Sequence, residues 1–172
     1  MSRVSELVVL VVSALVGIAL FAPPAAANTQ VKSVIHVDDT SVDRSVCPFG
    51  VTFHVQGSFK NVDYYDNSGF LYKTIDTAGA GGPFRVTASA KGTTLTMQSE
   101  AFSVVITYNA DGSVNTFTER GPFDKFTAPG SGIVLLDTGI AIFGEPGDVV
   151  LFAPGPHQAV NGEFDAFCAA FG

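Results

Sequence analysis

His157 stands in Gly155-Pro156-His157-Gln158, with the carboxylates of Glu163 and Asp165 a short way along the chain. A histidine on a glycine-proline turn beside a carboxylate can act as a general base near neutral pH. The same residue reads more readily as a loop histidine bonded to backbone, or as a cap on a terminal helix. His54, Gln56, Arg85, Thr87 and Ser89 alternate with apolar neighbours, so they occupy strand faces that either meet water or line an enclosed polar cavity. Tyr64, Tyr65, Tyr72 and Tyr108 are candidates for an aromatic rim, which can bind a ligand or cover the edge of a core. The candidates for catalysis are therefore His157, His54 and Asp165. Those for ligand contact are Arg85, Gln56 and Tyr65.

Two acidic groups raise the question of metal: Asp38 and Asp39 with Asp43, and Asp63 with Asp66 and Asn67. Neither has the spacing of a calcium loop, and the preference of Asp and Asn for turns accounts for both. The chain has no His-Glu-x-x-His, no Gly-x-Ser-x-Gly and no phosphate-cradling glycine loop. Neither a metal site nor a cofactor is expected. The 9 Lys and Arg residues are scattered against 16 Asp and Glu, for a net charge of −7, which excludes a nucleic-acid footprint.

These side chains need strands to position them, because period-two alternation punctuated by Gly, Pro, Asn and Asp dominates from Val31 to Pro156. Val51, Phe53 and Val55 form one face of a segment whose other face is Thr52, His54 and Gln56. Asp66-Asn67-Ser68-Gly69 reverses the chain into a partner strand from Phe70 to Asp76. Phe84 to Ser89 alternates again, Lys91-Gly92 turns, and a long strand runs from Thr93 to Tyr108 with a break near Ser99. Asn109-Ala110-Asp111-Gly112 is a hairpin loop leading to Val114–Arg120. Phe123–Thr127, the nearly all-apolar Ile133–Phe143 with Gly139 at a bend, and Val149–Ala153 follow. Phe164, Phe167, Cys168 and Phe171 then recur at helical spacing, with Glu163 and Asp165 in the first turn. The expected fold is all-β: an antiparallel up-and-down β-barrel of about eight strands, its edges removed by closure, with a short C-terminal helix.

Residues 1–27 read as a secretory signal peptide: Arg3, an apolar run from Leu7 to Phe21, Pro23-Pro24 and Ala25-Ala26-Ala27, with cleavage after Ala27. The run is short for a bilayer span, so no membrane span is expected after cleavage. No cysteine for lipid attachment and no twin arginine accompany it. Residues 28–172 are then a single β-barrel domain, secreted or associated with the cell envelope. In that oxidising setting Cys47 and Cys168, the only two cysteines, are expected to form a disulfide. Joining them closes a loop of roughly 120 residues, which chain entropy values at about 4 to 5 kcal/mol.

Tyr65-Asp66-Asn67-Ser68-Gly69, Gln98-Ser99-Glu100-Ala101-Phe102, Gly155-Pro156-His157-Gln158 and Asp165-Ala166-Phe167-Cys168-Ala169-Ala170 together resemble exported proteins of unknown function from high-GC Gram-positive bacteria. That resemblance spans the mature chain and implies export and a common fold, without an activity. The length and strand pattern look more remotely like lipocalin or allene oxide cyclase barrels, an analogy of architecture alone.

Three functions fit this reading. The first is non-catalytic binding of a small apolar ligand or a surface partner, favoured by the Phe-rich strands and the lack of a catalytic signature. The second is a cyclase- or isomerase-like enzyme using His157 or His54 with a carboxylate or tyrosine in a barrel cavity. The third is a structural or interaction protein of the cell envelope.

Overall fold

The computed structural model describes residues 29–97, 102–145 and 149–172. The signal peptide read at 1–27 and the break near Ser99 lie outside those residues. Nine strands follow one another: β1 (Gln30–Asp43), β2 (Val51–Tyr65), β3 (Leu71–Ala78), β4 (Phe84–Ala90), β5 (Thr93–Met97), β6 (Ser103–Tyr108), β7 (Val114–Ala128), β8 (Gly132–Gly144) and β9 (Val149–Phe152). Among the described residues one short helix, α1 (Asp165–Ala169), follows them. Every ladder is antiparallel. The all-β antiparallel fold and its terminal helix are thus as the sequence reads, and the long strand expected over Thr93–Tyr108 is present as β5 and β6.

Two long strands organise the sheet. β1 runs along one edge of β2, leaving the other edge to β4 (Thr52–Gly57) and β3 (Phe59–Tyr65) in succession. β7 repeats the arrangement, with β8 on one edge and β6, then β5, on the other. Because β3 pairs with β6 and β4 with β5, the β5–β7 pairing completes a hydrogen-bonded ring of six strands, β2-β3-β6-β7-β5-β4. β1 extends the sheet beyond β2, and β8 and β9 extend it beyond β7.

Three tight turns share one local device. In each, an aspartate carboxylate oxygen accepts both the N–H and the hydroxyl of the serine two residues on: Asp43 with Ser45, Asp66 with Ser68, and Asp111 with Ser113. The side chain thereby replaces a backbone acceptor at the bend. Asp66 and Asp111 lie in the two hairpin loops read from the sequence, and these bonds hold both carboxyls below the usual carboxylate range.

The inner face is built from the alternation of Val51, Phe53 and Val55 with their cross-strand neighbours Val86, Ala88, Leu95 and Met97, all buried. Phe167 of α1 is fully enclosed; it stacks on Phe53 and meets Phe126 edge-on, with ring centroids 6.3 and 5.2 Å apart. Phe171 packs against Phe167 and Phe49, so the helical spacing of phenylalanines does face the sheet. Beyond them Phe59, Phe84 and Phe102 form a second aromatic cluster. The disulfide joins Cys47, between β1 and β2, to Cys168 of α1 across 121 residues of sequence. Among the described residues no helix is long and apolar enough to cross a membrane.

Replacing both cysteines by alanine is expected to lower unfolding stability by about 2 to 5 kcal/mol. Denaturant titration of the oxidised protein against the double variant measures the difference; a loss below about 0.5 kcal/mol contradicts the loop-closure account.

Candidate functional site

The strands carry carboxyl groups onto the same inner face as the phenylalanines. Asn61, Asp76, Val104, Glu119 and Ala141 form one cross-strand row over β2, β3, β6, β7 and β8. Asn61 Nδ2 donates to Asp76 Oδ1 at 2.9 Å, and both residues are buried. In the next row Thr74 donates its hydroxyl to Asp63 at 2.7 Å, and the Tyr108 hydroxyl donates to Thr74 at 3.3 Å. Burial raises the pKa of Asp76 despite the Asn61 bond, with the Asp63 charge adding to the rise. Tyr108 is likewise pushed up, by burial first and then by the charges of Asp63 and Asp76.

Where β8 pairs with β7 beside the ring, a bulge between Pro122 and Asp124 sets Asp124 directly opposite Asp137. Bulges re-aim side chains, and this one also turns Phe123 inward onto the His157 ring, with centroids 5.7 Å apart and planes 21° apart. Directly opposed residues hold their Cβ atoms about 5 Å apart, so two charged carboxylates there repel. Burial pushes Asp124 up to about 8, with the Asp137 charge adding to it. Asp137 is pushed up to about 7, again by burial first; the Ala159 and Val160 N–H groups oppose that rise, and the charge of Glu163 adds to it. Glu119 stands well above its ordinary range through burial and the charges of Asp124 and Asp137.

His157 arrives on the outer edge of β8. The Thr138 N–H donates to the Pro156 carbonyl and the Gln158 N–H to the Leu136 carbonyl, so 156–158 adds a short bridge beside Asp137. The Gln158 side chain accepts the Leu136 N–H at 2.7 Å. Two glycines let the chain close over the ring. A Cβ on Gly139 would sit 3.2 Å from the Pro154 carbonyl, and one on Gly155 would sit 3.1 Å from the Thr138 carbonyl. Both also have positive φ, +111° and +122°, which side-chain-bearing residues rarely adopt. His157 is 2% exposed and Asp137 0%.

The structure distributes the sequence candidates widely. His157 is buried, and the carboxylate facing it is Asp137 of β8; Asp165 is exposed at the start of α1. His54 lies on the outer face, where its Nε2 is 2.7 Å from the Asp38 carboxylate. Gln56 also bonds Asp38, at 3.3 Å, and these two bonds draw the Asp38 pKa down. Arg85, opposite Gln56, is exposed and donates to Thr96 at 3.4 Å. The strand face of His54, Gln56 and Arg85 therefore meets water. Tyr65 is half-buried at the far end of β2, its pKa raised by burial and by Asp63. Asp76, Glu119, Asp124 and Asp137 were not singled out by sequence, although Asp137 was visible as the lone acid in the apolar run Ile133–Phe143. Among the described residues no group of three or more His, Cys, Asp and Glu side chains is arranged to hold a metal ion. Comparison with protein-family models, with curated proteins and with solved structures finds no match.

The buried carboxyls fix a pH dependence of stability. Their folded-state pKa values lie above those of an unfolded chain, so the folded protein binds more protons and its advantage is complete only below about pH 4. That advantage is lost as pH rises towards the folded values of about 7 for Asp137 and about 8 for Asp124. Denaturant unfolding is expected to show stability lower at pH 8.5 than at pH 5 by on the order of a few kcal/mol. Equal stability at the two pH values contradicts burial of these groups.

Proposed function

We propose that the chain is an exported, non-catalytic binding protein that takes an extended protein segment along the edge of β9. The observation that carries this reading is β9 itself: Val149, Val150, Leu151 and Phe152 are 48%, 43%, 58% and 52% exposed on a strand whose outer edge has no ladder partner among the described residues. Natural edge strands are usually guarded by charge, proline or a covering element, and β9 carries neither charge nor proline. A row of directly opposed residues on the outer face leads to it, apolar but for Thr118: Val62, Ile75, Val105, Thr118, Ile142 and Phe152. A peptide adding as a strand would gain main-chain hydrogen bonds from β9 and place alternate side chains on that row. The net charge of −7 favours a basic segment and opposes a second copy of the chain.

The interior supports the surface version over a small-ligand version, because the inner phenylalanines pack ring on ring and occupy that face themselves. The enzyme reading rests on Asp137 and His157. It takes second place because a general base must come within hydrogen-bond reach of its substrate, and Phe123, Gly139, Pro154 and Gly155 close over this ring. Export follows from the leader read in the sequence, and the disulfide and absence of an apolar spanning helix among the described residues are compatible with it.

A synthetic ten-residue peptide alternating valine and lysine is the probe. Its binding is expected to shift the amide resonances of Val149–Phe152, and the pair Leu151→Lys with Phe152→Lys is expected to weaken it at least tenfold while leaving the fold intact. Binding that leaves the β9 resonances unmoved, or concentration-dependent dimerisation through β9 in sedimentation, overturns the proposal.

A further inference from the structure

Asp137 Oδ1 and His157 Nδ1 are buried, face each other at 3.6 Å, and have no hydrogen-bond partner among the described residues. The remaining atoms of the two groups are engaged. Asp137 Oδ2 accepts the Ala159 N–H at 2.9 Å, and His157 Nε2 lies 3.1 Å from the Pro154 carbonyl. A carbonyl oxygen only accepts, so Nε2 carries a proton. A neutral imidazole has one N–H, already committed to Pro154, and its Nδ1 is then a bare lone pair. If Asp137 is ionised at the same time, two acceptors confront each other out of water, an arrangement that costs the full desolvation of both. Reversing the tautomer moves the fault to the Pro154 contact without removing it. Two protons are needed to serve both contacts, one at each, whether the second is held by imidazolium or by a carboxylic acid.

We propose that the proton between Asp137 and His157 is a latch that fastens residues 153–158 to β8, and that its loss at alkaline pH frees this segment locally while the ring of six strands stays folded. The surroundings resist ionisation of Asp137. Burial is the first cause, and from the tail the negative charge of Glu163 adds to it; from β7, Asp124 lies directly opposite and Glu119 is itself raised by the charges of Asp124 and Asp137, while Lys125 alternates to the other side of the strand. None of these neighbours supplies a positive charge that would replace the proton. To β8 the segment is otherwise joined through Thr138 N–H to Pro156, Gln158 N–H to Leu136 and Leu136 N–H to the Gln158 side chain, and its remaining backbone bonds, Asn161 N–H to His157 and Glu163 N–H to Gln158, run to the tail and not to the sheet. Release of 153–158 would also loosen the adjoining β9, whose own ladder to β8 covers only Ile142–Gly144. The latch stands whether or not β9 is a docking edge, since it is read from the pair alone.

Amide hydrogen exchange of the disulfide-intact protein between pH 6 and pH 9 tests it, after correction for intrinsic rates. Protection at Leu136, Thr138 and 149–158 is expected to fall at least tenfold further over that range than protection in β2 and the Val114–Arg120 half of β7, which follow global stability alone. In Asp137→Asn the carboxamide N–H can donate to His157 Nδ1 without a titrating proton, so the same amides are expected to show a flat profile. Equal pH dependence in the two proteins, or a loss spread evenly over the whole sheet, overturns the latch. Should Asp137→Asn fail to fold, the ring resonances of the wild-type protein decide. His157 is expected to change state together with the protection of 153–158, and a ring that changes state while that protection stays constant overturns it equally.

Discussion

The contact of Phe167 with Phe53 and Phe126 is the constraint from which the rest of the arrangement follows. Phe53 belongs to β2, Phe126 to β7 and Phe167 to α1, so one aromatic cluster fixes the separation of the two long strands and seats the helix between them. Burying each such side chain contributes about 2 to 3 kcal/mol, and edge-on or offset ring pairs add a fraction more. With β2 and β7 held, the short strands β3, β6, β4 and β5 have fixed edges to bridge, and the ring closes through them. The disulfide secures the one element, α1, that has no place in the sheet's hydrogen bonding.

A face built for apolar packing has a consequence for the acids that share it. Asp76, Glu119 and Asp137 are buried among phenylalanines and valines, so desolvation, more than any single neighbour, governs their protonation. The Asp76 carboxyl has an amide donor in Asn61. Asp137 has backbone donors for one oxygen and only a facing histidine for the other, which is why the β8 edge, and not the β2–β3 end, is the place where protonation and chain position are coupled.

Much of this was legible in the residues. Alternation along Val51–Gln56 and Phe84–Ser89 separated an apolar from a polar face, because each is chemically uniform, but left open which of the two lines the interior. The turns at Asp66–Gly69 and Asn109–Gly112 were visible because their chemistry is local. Asp76 was not, since Leu71–Ala78 buries Thr74, Asp76 and Ala78 and turns Ile75 to the outer face, against the polarity of its own sequence. Asp124 escaped for another reason: the bulge at Pro122–Asp124 changes which residues point inward, and alternation carries no sign of a bulge. The partner of His157 was sought among nearby acids, whereas strand adjacency places it beside a residue 20 positions earlier. Pairing across a sheet is a property of register, and register is not written in spacing.

The three aspartate–serine turns bear on the order in which the molecule is assembled. Each closes within three residues, and the hairpins around Asp66 and Asp111 join strands adjacent in sequence, so their chain-closure entropy is small and their contacts form within microseconds of the segment becoming available. The union of Cys47 with Cys168 spans 121 residues and cannot occur until Cys168 has emerged. Assembly therefore runs from independent hairpins to a sheet and only then to oxidation, which leaves the thiol of Cys47 waiting while the 121 residues up to Cys168 are made.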